Sequence, residues 1–296
     1  MSTAMAFVEN MRPRQWTKNL LLFAGVIFAQ RLGESACVTR AVLGVLVFCC
    51  ASGVIYIFND IADIDLDRRH PTKRLRPIAS ERLPLPVAVR GGLALLVVVL
   101  AAAALLGPAF LGAVSVFFLW NWLYTRVLKK VPVLDVSGIG MSFVIRATAG
   151  VFVLLPACPG VTISPWLLLC TFFLSLFLGF AKRRDELLKV APRGDETRPA
   201  LKGYTEAALN AGIGVSFGLT GMAYALYTVW PDTVAHFGTR SLIYTLPFVL
   251  AGMGRYLYLV YKEERGGKPH EILLNDAVLQ VVVVGWVLVS IRIIGL

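Results

Sequence analysis

Gly92-Leu93-Ala94-Leu95-Leu96-Val97-Val98-Val99-Leu100-Ala101-Ala102-Ala103-Ala104-Leu105-Leu106-Gly107-Pro108 carries no charge and no polar side chain. The run reaches back to residue 87 and matches the roughly 20 residues that cross a bilayer as a helix. Lipid offers the backbone no hydrogen bonds, so a run like this satisfies itself locally as a helix. Gly107-Pro108 ends it, because proline cannot continue the hydrogen-bond ladder. Comparable runs cover residues 19–31, 40–58, 109–125, 135–155, 163–181, 208–229, 241–261 and 273–295. We therefore expect an all-α integral membrane protein with nine transmembrane helices. The first span is short and is limited by Arg31.

Composition agrees. Of 296 residues, 57% are apolar and 16% charged, against about 45–50% and about 25% in soluble domains. Too little polar surface exists to cover such a chain in water. A soluble enzyme, a disordered tail and a nucleic-acid module are excluded. The net charge of +11 points instead to cytoplasmic loops, anionic headgroups or an anionic substrate.

Charge also orients the spans. With the N-terminus in the cytoplasm, the inner segments hold 23 Lys and Arg and the outer ones three: Arg31, Arg40 and Arg240. Such asymmetry predicts a cytoplasmic N-terminus and an outside C-terminus. The chain is expected to form a single transmembrane catalytic domain, 1–296. Arg12, Arg14 and Lys18 before an apolar run imitate a secretory signal. Gln30-Arg31-Leu32 replaces a cleavage site, however, so the segment reads as a retained helix. The five cysteines form no C-x-x-C pair and sit mostly in apolar runs. They predict neither a disulfide framework nor a zinc site.

The second span ends in Asn59-Asp60-Ile61-Ala62-Asp63-Ile64-Asp65-Leu66-Asp67. On a helix Asn59, Asp60, Asp63 and Asp67 share roughly a quarter turn, with Asp65 pointing away. Clustered carboxylates repel one another, and acids at a helix C-terminus oppose its dipole. Oxygen donors under that strain suit Mg²⁺, which keeps waters and bridges to phosphates. The plain alternative is a solvated acidic helix end. A basic loop follows with Arg68, Arg69, His70, Lys73, Arg74 and Arg76, the layout of a metal–diphosphate site.

Three further groups carry charge. Tyr124, Lys129 and Lys130 precede Asp135, which opens the fifth span and shares a face with Ser142 and Arg146. Arg146 lies deep in an apolar helix, so it is expected to face a polar cavity and contact a substrate phosphate or Asp135. Lys182, Asp185, Glu186 and Lys189 form one stripe at the end of the sixth span, readable as a metal and phosphate site or as salt-bridged surface. His270, Glu271 and Asp276 lie in the last loop, and Asp276 has Arg255 in the neighbouring span as a candidate partner.

The pattern Asn59-Asp60-x-x-Asp63-x-x-x-Asp67, then Pro71-x-Lys73-x-x-Arg76-Pro77 within nine spans, resembles the UbiA-type prenyltransferase superfamily. Arg12-Pro13-Arg14-Gln15-Trp16-Thr17-Lys18-Asn19, Tyr124 to Asp135 with Arg146, and Lys182-Arg183-Arg184-Asp185-Glu186 resemble its decaprenyl-phosphate phosphoribosyltransferase branch. The resemblance implies a UbiA-type bundle with a cytoplasm-facing polar cavity. It implies transfer of 5-phosphoribose from 5-phosphoribosyl 1-diphosphate to a long polyprenyl phosphate, with release of diphosphate, for arabinan precursors of the cell wall such as arabinogalactan. Metal ligands would be Asn59, Asp60, Asp63 and Asp67. Catalytic residues would be Asp63, Asp67, Asp135, Lys182 and Asp185. Substrate would be bound by Lys18, Lys73, Arg76, Tyr124, Lys129, Arg146, Arg183 and Glu186. The partners implied are the two substrates, Mg²⁺ and the lipid bilayer; a homo-oligomer is left open.

Two departures stand out. Aromatic prenyltransferases of this fold carry D-x-x-x-D where this chain has Lys182 to Glu186. That favours a more highly phosphorylated donor than a prenyl diphosphate. Within the fold, the alternative is an aromatic or quinone-precursor prenyltransferase; outside it, a transporter with midplane ion sites. Glu81 stands where the superfamily often has glycine, and the sequence offers no account of it.

Overall fold

The computed structural model describes residues 2–189, 199–263, 266–267, 272 and 275–295. Among them there are helices and no strands. The helices are α1 (Thr3–Asn10), α2 (Phe23–Phe28), α3 (Ser35–Ala62), α4 (Ile64–Arg69), α5 (Leu85–Leu106) and α6 (Pro108–Arg126). They continue with α7 (Leu134–Phe152), α8 (Pro165–Lys189), α9 (Glu206–Val229), α10 (Pro231–Phe237), α11 (Leu246–Lys262) and α12 (Ala277–Ile294).

Eight helical segments are long and apolar enough to cross a membrane, and they match eight of the nine expected spans. The ninth, residues 19–31, differs. A 3-10 helix over Pro13–Leu22 runs into the short α2. This stretch opens with Pro13 and carries Arg14, Gln15, Lys18 and Asn19; of these, Gln15, Lys18 and Asn19 find polar partners instead of lipid. The break at Gly107-Pro108 is present: Gly107 takes φ 124°, a conformation closed to most L side chains, and Pro108 begins α6. Leu105, Val97, Met222 and Val281 stand exposed, as lipid-facing side chains do.

The chain divides into two compact units. The first comprises Met1–Thr125 and Ile145–Ile163. In it α1 is fixed by Ala6 and Met11, buried with Ile57 of α3, Ile78, Leu83 and Ala88 of α5. This packing holds residues 10–12 against the loop that carries Arg76. Phe48 of α3 meets Phe110 and Phe117 of α6 at ring separations of 5.8 and 5.0 Å. Arg40 donates to the carbonyls of Leu106 and Val153, satisfying acceptors that helix ends leave open.

The second unit comprises Arg126–Val144 and Ser164–Leu296. Val136 of α7, Phe177 and Phe180 of α8, Leu209 and Ile213 of α9, and Met253 and Tyr256 of α11 form its core. Gly179 sets how near α7 comes to α8: a Cβ there would stand 2.5 Å from Val136 Cγ1. That approach brings Asp135 beside Arg183.

One expectation is overturned. Cys37 and Cys158 form a disulfide, with Cα atoms 6.1 Å apart and 121 residues between them in the chain. Local spacing could not reveal it, because a pair so far apart is joined by tertiary packing alone. Cys49, Cys50 and Cys170 are free, as expected. Denatured but unreduced protein should take up three alkyl groups by intact-mass spectrometry, and five after reduction. Five without reduction would remove the disulfide.

Candidate active site

Asn59 and Asp60 close the last turn of α3, and the helix breaks at Asp63, with φ −99° and ψ 10°. The break changes the electrostatics of the motif. Asp65 and Asp67 leave the unfavourable C-terminal end of α3 and enter the first turn of α4, while Arg68 and Arg69 fall in its last turn. Both placements agree with the helix dipole.

The four oxygen-bearing side chains then divide into two pairs. Asp60 and Asp67 are buried, at 3% and 2% exposure. Arg76 Nη1 bridges them, at 3.0 Å to Asp60 Oδ1 and 2.6 Å to Asp67 Oδ2. Arg12 Nη2 adds a bond of 2.5 Å to Asp60 Oδ1. Arg12 also lies 4.5 Å from the Tyr56 ring centroid and takes a left-handed φ of 55°. Asn59 and Asp63 are half-buried, and their side chains engage no partner among the described residues. They are the donors left open to a cation, and oxygen-only donors fit Mg²⁺. Lys73 is exposed in a 3-10 turn over Lys73–Leu75.

Further polar groups line up in the same unit. Tyr56 Oη donates to Gln15 Oε1 at 2.9 Å, and Lys18 Nζ donates to the same oxygen at 3.1 Å. Arg146 is 6% exposed; its Nε donates to Asn19 Oδ1 at 2.9 Å, and its guanidinium lies 4.5 Å from the Phe117 centroid. Asn19 also accepts from Ser52 and donates to Cys49. Of the two partners expected for Arg146, a substrate phosphate or Asp135, the second lies eleven residues away along α7, a rise of about 16 Å that puts it out of reach. Arg146 holds Asn19, and with it the segment that carries Lys18. Tyr124 is half-buried in the last turn of α6.

In the second unit Asp135 is fully buried and Arg183 is 1% exposed. Arg183 Nε donates to Asp135 Oδ2 at 2.5 Å, and Nη1 donates to Glu186 at 2.7 Å. Tyr204 Oη donates to Asp135 Oδ1 at 2.6 Å and accepts from the Val133 N–H, also at 2.6 Å. Val133 has φ 67°, a strained state for a β-branched residue, and the Tyr204 bond holds it there. Burial, followed by the bond to Asp135, raises the Tyr204 pKa, so the phenol remains a donor at neutral pH. Lys182 lies 4.0 Å from Glu186, and Lys189 lies 2.7 Å from Asp185. The stripe therefore contains the i,i+4 pairs of the salt-bridged reading. Lys129 is half-buried in the 3-10 turn Leu128–Lys130.

Two sequence questions are answered. Arg255 grips Asp276 with bonds of 3.2 and 2.7 Å, and Asp276 caps α12 by accepting from Leu279 N–H; this pair is structural. Glu81 has φ 62°, which explains why glycine suits that position, and its carboxylate meets Arg68 at 2.8 Å. His270 and Glu271 lie outside the described residues. Sequence reading missed the roles of Arg12 and Tyr204. Arg12 follows a helix and precedes a proline, a signal for an unusual backbone, whereas Tyr204 gives no local sign.

The fold is polytopic and helical, with one acid–guanidinium cluster at a helix end and another inside a helical core. The profile described as the UbiA prenyltransferase family matches residues 20–272, and the chain belongs to that family. The decaprenyl-phosphate phosphoribosyltransferase of Corynebacterium glutamicum is 32% identical over 292 residues, covering 96% of this chain and 85% of that protein. The protein of the same name from Mycobacterium tuberculosis is 31% identical over 284 residues, covering 95% and 91%. A UbiA homolog from Archaeoglobus fulgidus, solved with GPP and Mg²⁺, shares the fold: TM-score 0.72 at 19% identity, covering 98% of this chain and 100% of that one.

Two stability outcomes follow from the geometry. Tyr204→Phe should lower stability by about 1–3 kcal/mol, because a buried carboxylate oxygen and a backbone N–H both lose their partner. Glu81→Val should be less stable than Glu81→Gly by about 1–2 kcal/mol, the cost of a left-handed backbone. Melting of the detergent-solubilised variants measures both. A Tyr204→Phe protein as stable as the parent, or equal melting of the two position-81 variants, would contradict these assignments.

Proposed function

We propose that the chain transfers 5-phosphoribose from 5-phosphoribosyl 1-diphosphate to a polyprenyl phosphate such as decaprenyl phosphate, releasing diphosphate. Near-full-length identity to two decaprenyl-phosphate phosphoribosyltransferases carries this reading. The cationic Lys182-Arg183-Arg184 run supports it over an aromatic prenyltransferase.

The residues do the following in this proposal. Asn59 and Asp63 would hold Mg²⁺, while Asp60 and Asp67, clamped by Arg76, fix the helix ends that present them. The bound metal would stabilise the charge gathering on the departing diphosphate. Lys18, Lys73 and Lys182 neutralise phosphate oxygens. Arg183 is held rigid by Asp135 and Glu186, and Tyr124, in the last turn of α6, and Lys129, in the turn after it, serve the substrates. The C1–O bond to diphosphate breaks, its electron pair leaving with diphosphate, and an acceptor phosphate oxygen bonds to C1. That oxygen is already ionised at neutral pH, so no side chain need remove a proton. Positioning and electrostatic stabilisation supply the rate.

We place these groups on the cytoplasmic side. The distribution of Lys and Arg supports this, and so does the disulfide. Cys37 and Cys158 fall in segments that the charge pattern assigns to the outside, and disulfides persist in oxidising compartments.

Purified protein given Mg²⁺, labelled phosphoribosyl diphosphate and polyprenyl phosphate should move label into the lipid extract. Prenyl diphosphate with an aromatic acceptor should yield no product; efficient turnover of that pair would replace the proposal with the prenyltransferase reading. Asp63→Asn should cut transfer by about 10-fold or more without lowering the melting temperature. EDTA should stop the reaction and Mg²⁺ restore it.

A further inference from the structure

Asn10, the last residue of α1, is 1% exposed, yet neither its amide Nδ2 nor its Oδ1 has a hydrogen-bond partner. A buried amide left without partners is costly, and native structures rarely carry one without a reason. Asn10 lines a cavity of about 260 Å³ together with Glu9, Arg12, Asp60, Thr72 and Arg76, and the Glu9 carboxylate is paired with Arg82. That volume lies just below the roughly 300–1,000 Å³ of pockets for drug-sized ligands. It suits a small polar headgroup and not a polyprenyl chain.

The chemistry of the lining is specific. Arg12 uses Nη2 on Asp60, and Arg76 uses Nη1 on Asp60 and Asp67. A guanidinium has five N–H donors in a planar fork that matches phosphate oxygens. Most donors of both arginines are thus unspent, and the two side chains remain 26% and 28% exposed. Asn10 adds a donor. Acceptors are open as well: Asn10 Oδ1 has no partner, and the bonds to Asp60 fall on Oδ1 alone, leaving Oδ2. A fully ionised phosphate only accepts and leaves those oxygens without a donor. An occupant with both hydroxyl donors and phosphate acceptors matches the whole lining.

We infer that Asn10, Arg12 and Arg76 form a binding subsite for a sugar phosphate, with phosphate oxygens on the two guanidinia and sugar hydroxyls on Asn10 Oδ1 and Asp60 Oδ2. The inference rests on the phosphoribosyl-transfer reading for its ligand, and it places the ribose 5-phosphate end of the donor, separately from the diphosphate. It also accounts for the left-handed backbone of Arg12. With φ 55°, the chain turns just after Asn10, and the guanidinium reaches Asp60. Met11, between the two, is anchored in the core of Ala6, Ile57 and Ile78.

Asn10→Leu is the informative variant. It removes an unsatisfied amide and keeps the volume, so the melting temperature should hold or rise; Asn10→Ala serves if the larger side chain disturbs folding. Ribose 5-phosphate should raise the melting temperature of the wild-type protein without metal, and Asn10→Leu should weaken its binding about 10-fold, the upper end of the usual scale for one hydrogen bond. Arg12→Gln should weaken it at least as much. In the transfer assay, Asn10→Leu should raise KM for phosphoribosyl diphosphate and leave KM for polyprenyl phosphate unchanged.

Other outcomes sort cleanly. Inorganic phosphate or a prenyl monophosphate binding as tightly as ribose 5-phosphate, with no dependence on Asn10, would overturn the sugar-phosphate assignment. So would an unchanged donor KM in Asn10→Leu while transfer proceeds. Asn10-dependent binding of ribose 5-phosphate without any transfer would keep this subsite and overturn the proposed reaction.

Discussion

Arg76 standing between Asp60 and Asp67 is the contact on which the first unit's site depends. Two buried carboxylates near one helix end repel each other, and burial removes the water that would screen them. A guanidinium placed between them answers both problems at once, because its donors are several and lie in one plane. Arg12 completes the neutralisation at Asp60. The consequence is a division within one motif: Asp67 and the Oδ1 of Asp60 are spent on guanidinia, whereas the side chains of Asn59 and Asp63 engage no partner among the described residues. Removing Arg76 would leave buried charge uncompensated, a loss of about 3–5 kcal/mol, and would release the loop against α3 and α4.

The second unit solves a related problem with different parts. Asp135 and Arg183 are both nearly inaccessible, so their attraction is weakly screened, and their desolvation has to be offset by further bonds. Tyr204 and Glu186 supply those bonds. Gly179 is the steric condition, since a larger residue would push Val136, and Asp135 next to it, away from α8. The strained backbone of Val133 belongs to the same arrangement. Strain at such a position persists only where the surroundings over-determine it, and here the phenol of Tyr204 does so.

The acidic motif illustrates how far spacing can be read. Treating 59–67 as one helix put Asn59, Asp60, Asp63 and Asp67 on one face, and the structure joins two of them, Asp60 and Asp67, through Arg76. The one-helix reading missed the break at Asp63, because a single distorted residue leaves no mark on periodicity. The break matters, as it moves two acids from an unfavourable helix end to a favourable one. Similarly, the stripe from Lys182 to Lys189 was visible as a stripe, whereas the buried pairing of Arg183, which lies beside it in the chain, was not. Helix geometry says which residues share a face; it does not say what lies opposite.

By itself the sequence determined the membrane fold, eight of its nine expected spans as long helices, the break at Gly107-Pro108 and the family-defining acid and base motifs. These are legible because hydrocarbon length, proline sterics and helical repeat act over neighbouring residues. Tertiary structure alone decided the Cys37–Cys158 disulfide, the clamp of Arg12 and Arg76 on Asp60, the pairing of Asp135 with Arg183 and Tyr204, and the path of residues 13–28 as a 3-10 helix running into a short α-helix. Each joins groups far apart in the chain, or depends on polar partners brought from elsewhere. Such contacts arise only when packed helices bring distant residues within hydrogen-bond reach.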